Sequence, residues 1–175
     1  VMLNQLVEDG RARCAPYLPD DTPDALGEHA ARGGAASLLV RVVRVRALPF
    51  GAHRLLEVRH SCTGERRMLH HLQFTDWPDF GVPQRCDHFV DFLQLALRLN
   101  RRAQRPLAVH CSAGVGRSGT FCLVHNVLHE AFAALRLAQA DRCAGAAAPA
   151  APVSVNLAYH LALLRQQRDH MVQTD

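Results

Sequence analysis

Cys111 and Arg117 bracket a short glycine-rich segment, His110-Cys-Ser-Ala-Gly-Val-Gly-Arg117. A cysteine becomes a nucleophile once it is a thiolate. An arginine fork can grip two oxygens of one phosphate group. The spacing alone carries little weight. The chain holds six cysteines and 20 basic residues, all arginine, in 175 positions, so a Cys–Arg pair at this distance is expected by chance about as often as not. The context is what carries information. Gly114, Gly116 and Gly119 remove side chains where the backbone must curl, so that successive N–H groups of Ser112, Ala113, Gly114, Val115, Gly116 and Arg117 can converge on an anion. A helix starting near Arg117 adds its N-terminal dipole, and the same positive field would stabilise a thiolate at Cys111. A buried structural cysteine beside an ordinary tight turn is the bland alternative, and it leaves this convergence unexplained. No Gly-Lys-Ser/Thr ending follows, which excludes a nucleotide-binding P-loop.

Cleavage of a phosphate monoester also needs a proton for the leaving oxygen. Asp79 is the candidate, in Trp77-Pro-Asp-Phe-Gly-Val-Pro83, where prolines restrain both ends and Gly81 permits a hinge. An Asp in an ordinary Pro-Asp turn is the alternative reading.

These residues need a scaffold. Residues 1–6 are apolar and read as a helix end or strand, followed by a turn at Glu8-Asp9-Gly10. Residues 19–34 are rich in Gly, Pro and Asp and are expected to be a loop. Strands are expected at 37–46, 55–59 and 68–75, with a turn at Thr63-Gly64. Apolar positions 89, 92, 93, 96, 97 and 99 predict an amphipathic helix over 86–100. Residues 106–109 read as a short buried strand leading into the cysteine segment, and 118–137 as a mostly apolar helix. Residues 141–152, dominated by Ala, Gly and Pro, are expected to be a surface loop. A last helix is expected over 153–168, with Leu157, Leu161 and Leu164 on one face. Strands mixed with helices predict one α/β domain, a mixed twisted sheet flanked by helices on both faces.

Composition sets bounds. The formal charge is +4, but the arginines are scattered without aromatic interleaving, so no nucleic-acid partner is expected. No apolar run is long enough to span a membrane. The cysteines, at irregular spacing, fit no zinc or C-x-x-C pattern and suggest reduced thiols and a cytoplasmic setting. His70-His71 lacks a third ligand at suitable spacing. No metal or cofactor is expected, and one of the pair is read as a strand-packing residue. Cys122 is read as a core residue.

The segment from His110 to Phe121 resembles the signature of the tyrosine-specific, cysteine-dependent protein phosphatases nearly residue for residue. The heptapeptide at 77–83 is similar to that family's mobile acid loop. The segment from Leu164 to Thr174 resembles the stretch that ends in its water-positioning glutamine. Asn4, Glu8, Gly10, Cys14, Tyr17 and Pro19 match the family's spacing in a supporting loop, with Arg13 and Leu18 departing from its usual lysine and tryptophan.

The resemblance implies a cysteinyl-phosphate intermediate on Cys111 and a hydrogen bond from Ser118 that eases departure of the thiolate. It implies Asp79 as acid and then base, Phe80 near the substrate ring, and Gln173 as the water-positioning residue. It implies support from Trp77, His110 and Glu8, the last paired with Arg117. The implied activity is hydrolysis of phosphotyrosine in protein substrates. A catalytically silent or truncated phosphotyrosine-binding domain is the alternative, and Cys111, Arg117 and Asp79 all being in place argues against silence. Because the chain opens as if in mid-domain, residues 1–175 are read as a single, incomplete catalytic domain.

Overall fold

The computed structural model describes residues 1–22, 26–30, 37–78, 81–103, 106–143 and 153–173. They form two compact units, 1–112 and 113–175. The α/β class agrees with the sequence reading.

The first unit opens on a small hairpin, β1 (Val7–Glu8) and β2 (Arg11–Ala12). Its turn residues, Asp9 and Gly10, both have positive φ (49° and 73°), the two-residue geometry that matches strand twist. The main sheet is antiparallel, in the order β3 (Leu26–Ala30), β4 (Ser37–Leu48), β5 (Gly51–His60), β6 (Arg66–Phe74). β3 corrects the expected loop over 19–34. Its own composition, Leu-Gly-Glu-His-Ala, carries little strand signal; pairing with the edge of β4, Leu26 opposite Arg41 through Ala30 opposite Ser37, makes it a strand. The predicted turn at Thr63-Gly64 links β5 and β6, with Gly64 at φ 71°.

The predicted strand over 106–109 is not a regular strand. It is an extended segment whose His110 makes a single parallel bridge to Met2. Residues 1–3 lie between this segment and the end of β6. Met2 N–H donates to Leu72 O and Phe74 N–H to Met2 O on one side; His110 N–H donates to Val1 O and Leu3 N–H to His110 O on the other. Two parallel bridges, Met2 to Gln73 and Met2 to His110, thus tie the end of β6 to the segment that leads into Cys111.

Helix α1 (Cys86–Ala103) presents Phe89, Phe92, Leu93 and Ala96 inward, the i, i+3, i+4, i+7 stripe read from sequence. They meet an aromatic cluster. Phe74 lies 5.0 Å from Phe92 between ring centroids, Phe50 stands edge-on to Phe92 at 5.9 Å, and Trp77 edge-on to Phe89 at 5.2 Å. A second group, Val40, Val42 and Leu56 with Leu18 packed against it, fills the sheet face under β4 and β5.

The second unit holds α2 (Gly116–Cys143) and α3 (Leu157–Gln167). α2 starts two residues before the predicted helix and extends six beyond it. The expected loop at 141–152 is thus helical at 141–143, and 144–152 lie outside the described residues. α3 starts later than predicted, because Asn156 caps it by accepting from Tyr159 N–H at 3.0 Å. Of its expected apolar face, Leu164 is buried and Leu161 half-buried, but Leu157 is exposed. Leu164 packs with Leu123 of α2 and with Met171, which fixes the chain beyond α3.

Candidate active site

His110, Cys111 and Ser112 close the first unit. Cys111 is buried, with 8% of its surface exposed, at the end of the segment clamped by residues 1–3. The His110 Nδ1 lies 3.2 Å from the Cys111 carbonyl oxygen, and its Nε2 lies 2.6 Å from the Tyr17 hydroxyl. Tyr17 in turn lies 2.9 Å from Nε2 of His71 on β6. His71 is the buried member of the His70–His71 pair, as expected for strand packing, while exposed His70 faces His53 at 3.0 Å. Burial, and then the positive charge of the Val1 amino group, Arg54 and His110, holds the His71 pKa down at about 3; only Asp21 opposes this. Burial likewise pushes the Tyr17 hydroxyl up to about 12.

Trp77 is buried, and its indole N–H donates to Gly81 O at 3.1 Å, tying together two ends of the heptapeptide. Gly81 has φ 102°, a conformation that favours glycine. Asp79 and Phe80 lie outside the described residues. Glu8 sits in β1, where its Oε1 accepts from Gln5 N–H at 3.0 Å.

The second unit opens on Ala113, Gly114 and Val115 and passes directly into α2. Gly114 has φ 76°, the left-handed step that turns successive N–H groups to one side. Arg117 and Ser118, in the first turn of α2, are both buried. The Ser118 hydroxyl has no hydrogen-bond partner among the described residues.

The C-terminal turn packs against this first turn. Val172 N–H donates to Val115 O at 3.0 Å. A Cβ on Gly119 would stand 2.3 Å from Val172 N, so only glycine admits this approach. A Cβ on Gly116 would stand 3.5 Å from Gln173 Oε1, which places the Gln173 amide beside the glycine loop. Val172, β-branched, is held at φ 60°, and His170 shares that value. Such backbone persists where the surroundings over-determine it, commonly at functional sites.

Arg168 reaches the glycine loop, a contact that spacing did not mark. Its Nη2 donates to Ala113 O at 3.2 Å and stands 3.0 Å from where a Gly114 Cβ would be. Arg165 likewise donates to Met171 O and Val172 O, bracing the turn. Both lie in the quoted stretch 164–174, but nothing local shows which carbonyls they reach.

The protein-tyrosine phosphatase family model matches residues 1–175. The chain belongs to the protein-tyrosine phosphatase family. It is 38% identical over 131 residues to the human tyrosine-protein phosphatase non-receptor type 2, covering 73% of this chain and 30% of that protein. It is 33% identical over 132 residues to the chicken (Gallus gallus) receptor-type tyrosine-protein phosphatase eta, covering 74% of this chain and 9% of the relative. It is 30% identical over all 175 residues to the chicken receptor-type tyrosine-protein phosphatase S, covering 10% of the relative. The chain thus spans less than a third of the length of these curated relatives. Among the described residues, no helix is long and apolar enough to cross a membrane.

Proposed function

We propose that this chain carries the catalytic residues of a protein tyrosine phosphatase acting on phosphotyrosine in proteins. The observation that carries the proposal is the glycine loop itself. A buried cysteine enters it from a clamped extended segment, Gly114 takes the left-handed conformation, and buried Arg117 sits in the first turn of a long helix. Those features together suit a bound phosphate dianion.

The proposed reaction has two displacements. In the first, the Cys111 thiolate attacks phosphorus, the bond to the tyrosyl oxygen breaks, and Asp79 gives that oxygen its proton. N–H groups of residues 112–117 and the Arg117 fork hold the three equatorial oxygens. In the second, a water positioned by Gln173 attacks phosphorus, Asp79 takes the water's proton, and the P–S bond breaks to restore the thiolate. Ser118 stabilises that thiolate; its buried hydroxyl, without a partner among the described residues, supports the role because it leaves a donor for the sulfur. Glu8 would hold the Arg117 fork, and Phe80 would face the phenyl ring. Trp77 and His110 position the acid loop and the nucleophile. We place the reaction in the cytoplasm, where thiols stay reduced.

The test is turnover of a phosphotyrosyl peptide. Cys111→Ser should abolish it, and undiminished turnover would eliminate the mechanism. Asp79→Ala should keep peptide binding and slow the aryl-oxygen departure by roughly 10²–10⁴-fold; an unchanged rate would remove Asp79 as the acid.

A further inference from the structure

Four side chains outside the phosphate loop form one hydrogen-bonded line that ends on the nucleophile's own backbone. The Arg54 guanidinium, on β5, is paired with Asp21 and reaches His71 Nδ1 at 3.4 Å. His71 Nε2 faces the Tyr17 hydroxyl, the hydroxyl faces His110 Nε2, and His110 Nδ1 faces the Cys111 carbonyl.

The two ends of this line dictate its direction. A carbonyl oxygen only accepts, so a neutral His110 must carry its proton on Nδ1, leaving Nε2 to accept. Tyr17 therefore donates to His110, and its oxygen accepts from His71 Nε2–H. A guanidinium only donates, so His71 Nδ1 must be the acceptor, which the same tautomer provides. Reversing the line would set an N–H of His71 against an N–H of Arg54. Every group thus has one compatible proton arrangement, and Arg54 and His71 impose it.

We propose that His71 is a positioning residue for the nucleophile, locking through Tyr17 and His110 the peptide plane between Cys111 and Ser112. The planar trans peptide explains the consequence. When the Cys111 carbonyl is drawn toward His110 Nδ1–H, the N–H of Ser112 points the opposite way, as the first donor to an anion. The same constraint fixes the backbone from which Cys111 Sγ projects. A buried histidine that stays neutral, beside a phenol that stays protonated, keeps this direction constant across the working pH range.

The experiment uses the natural protein. Long-range ¹H–¹⁵N NMR at pH 8 should show His71 protonated on Nε2 and His110 on Nδ1. His71→Leu should lower kcat/KM for a phosphotyrosyl peptide about tenfold, as expected for one lost hydrogen bond. It should also lose the single His110 tautomer. His71→Gln, whose amide N–H can still donate to Tyr17, should recover to within about threefold. Tyr17→Phe should match His71→Leu, and the double variant should be no worse than either. Leu56→Ala, a core change on β5, should lower stability while leaving kcat/KM and the His110 tautomer unchanged.

His110 protonated on Nε2 in the unsubstituted protein would overturn the proposal. So would a folded His71→Leu variant with unchanged kcat/KM. If His71→Leu does not fold, the tautomers and the His71→Gln rescue decide. The kinetic arm rests on the phosphatase reading, but the tautomers do not. Absence of any turnover would therefore defeat that reading while the NMR arm still judges the chain.

Discussion

Gly119→Ala isolates what the C-terminal turn contributes to the reaction. The added methyl would lie 2.3 Å from Val172 N and 3.1 Å from the Met171 carbonyl carbon. Ordinary contact begins near ~3.4 Å, so the turn must retreat by about 1 Å. Both neighbours are backbone atoms, so no side-chain rotation relieves the clash. Overpacking of this kind costs about 1–3 kcal/mol. Stretching the 3.0 Å bond from Val172 N–H to Val115 O adds about 1 kcal/mol. Against this, Ala inside a helix gains about 1 kcal/mol over Gly. The net is a destabilisation of about 1–3 kcal/mol, so the clash outweighs helix propensity.

Kinetics should change more than stability. Gln173 follows Val172 and moves with it, and a 1 Å misplacement of a positioning group can cost about 10²-fold. In rapid-quench assays, the burst of phenol release should persist while steady-state turnover falls, leaving phosphate trapped on Cys111. A variant with unchanged urea midpoint and unchanged steady-state rate would refute the reasoning. Loss of the burst alone would show that the turn serves the first displacement instead.

Three further outcomes follow from the same structure. The His71 pKa of about 3 in the fold lies below its usual 6.5, so the unfolded chain takes up the proton first. The stabilisation from neutral His71 is complete above pH 6.5 and is lost as pH falls toward 3. Between pH 7 and 5.5 it should amount to about 1 kcal/mol by urea unfolding, and a His71→Gln variant whose pH slope equals the parent's would contradict it. Leu164→Ala empties the contact with Leu123 and Met171 and should cost about 2–5 kcal/mol, read as a lower thermal midpoint; a shift within error would show that the small core does not support the turn. Gly51→Ala would set a Cβ 2.0 Å from Gln73 O at φ 149° and should deplete folded protein in expression and circular dichroism, whereas a normal melt would show that β5 and β6 can part without harm.

Much of the site was legible before any coordinates. The curl at Gly114 and the helix opening beside Arg117 lie within a few residues of Cys111, so local sequence foretells that backbone. The α1 stripe was legible for the same reason, because a helix repeats its buried positions at fixed intervals. β3 was missed because its residues become a strand only through a partner. The extent of α2 was misjudged because Ala-rich sequence supports helix and loop alike until packing chooses. Leu157 was placed on one face with Leu161 and Leu164, and the second unit covers that face only at the latter two.

The sequence by itself determined the family and the α/β class and marked Cys111 as the proposed nucleophile, because local residues encode each. Tertiary structure decided that residues 1–3 would clamp His110 and that Val172 would press on Gly119. It also decided that Arg168 would reach Ala113 and that Arg54 and His71 would orient a line ending at Cys111. Hydrogen-bond direction and close backbone approach depend on atoms brought together from distant parts of the chain, and no local spacing specifies them.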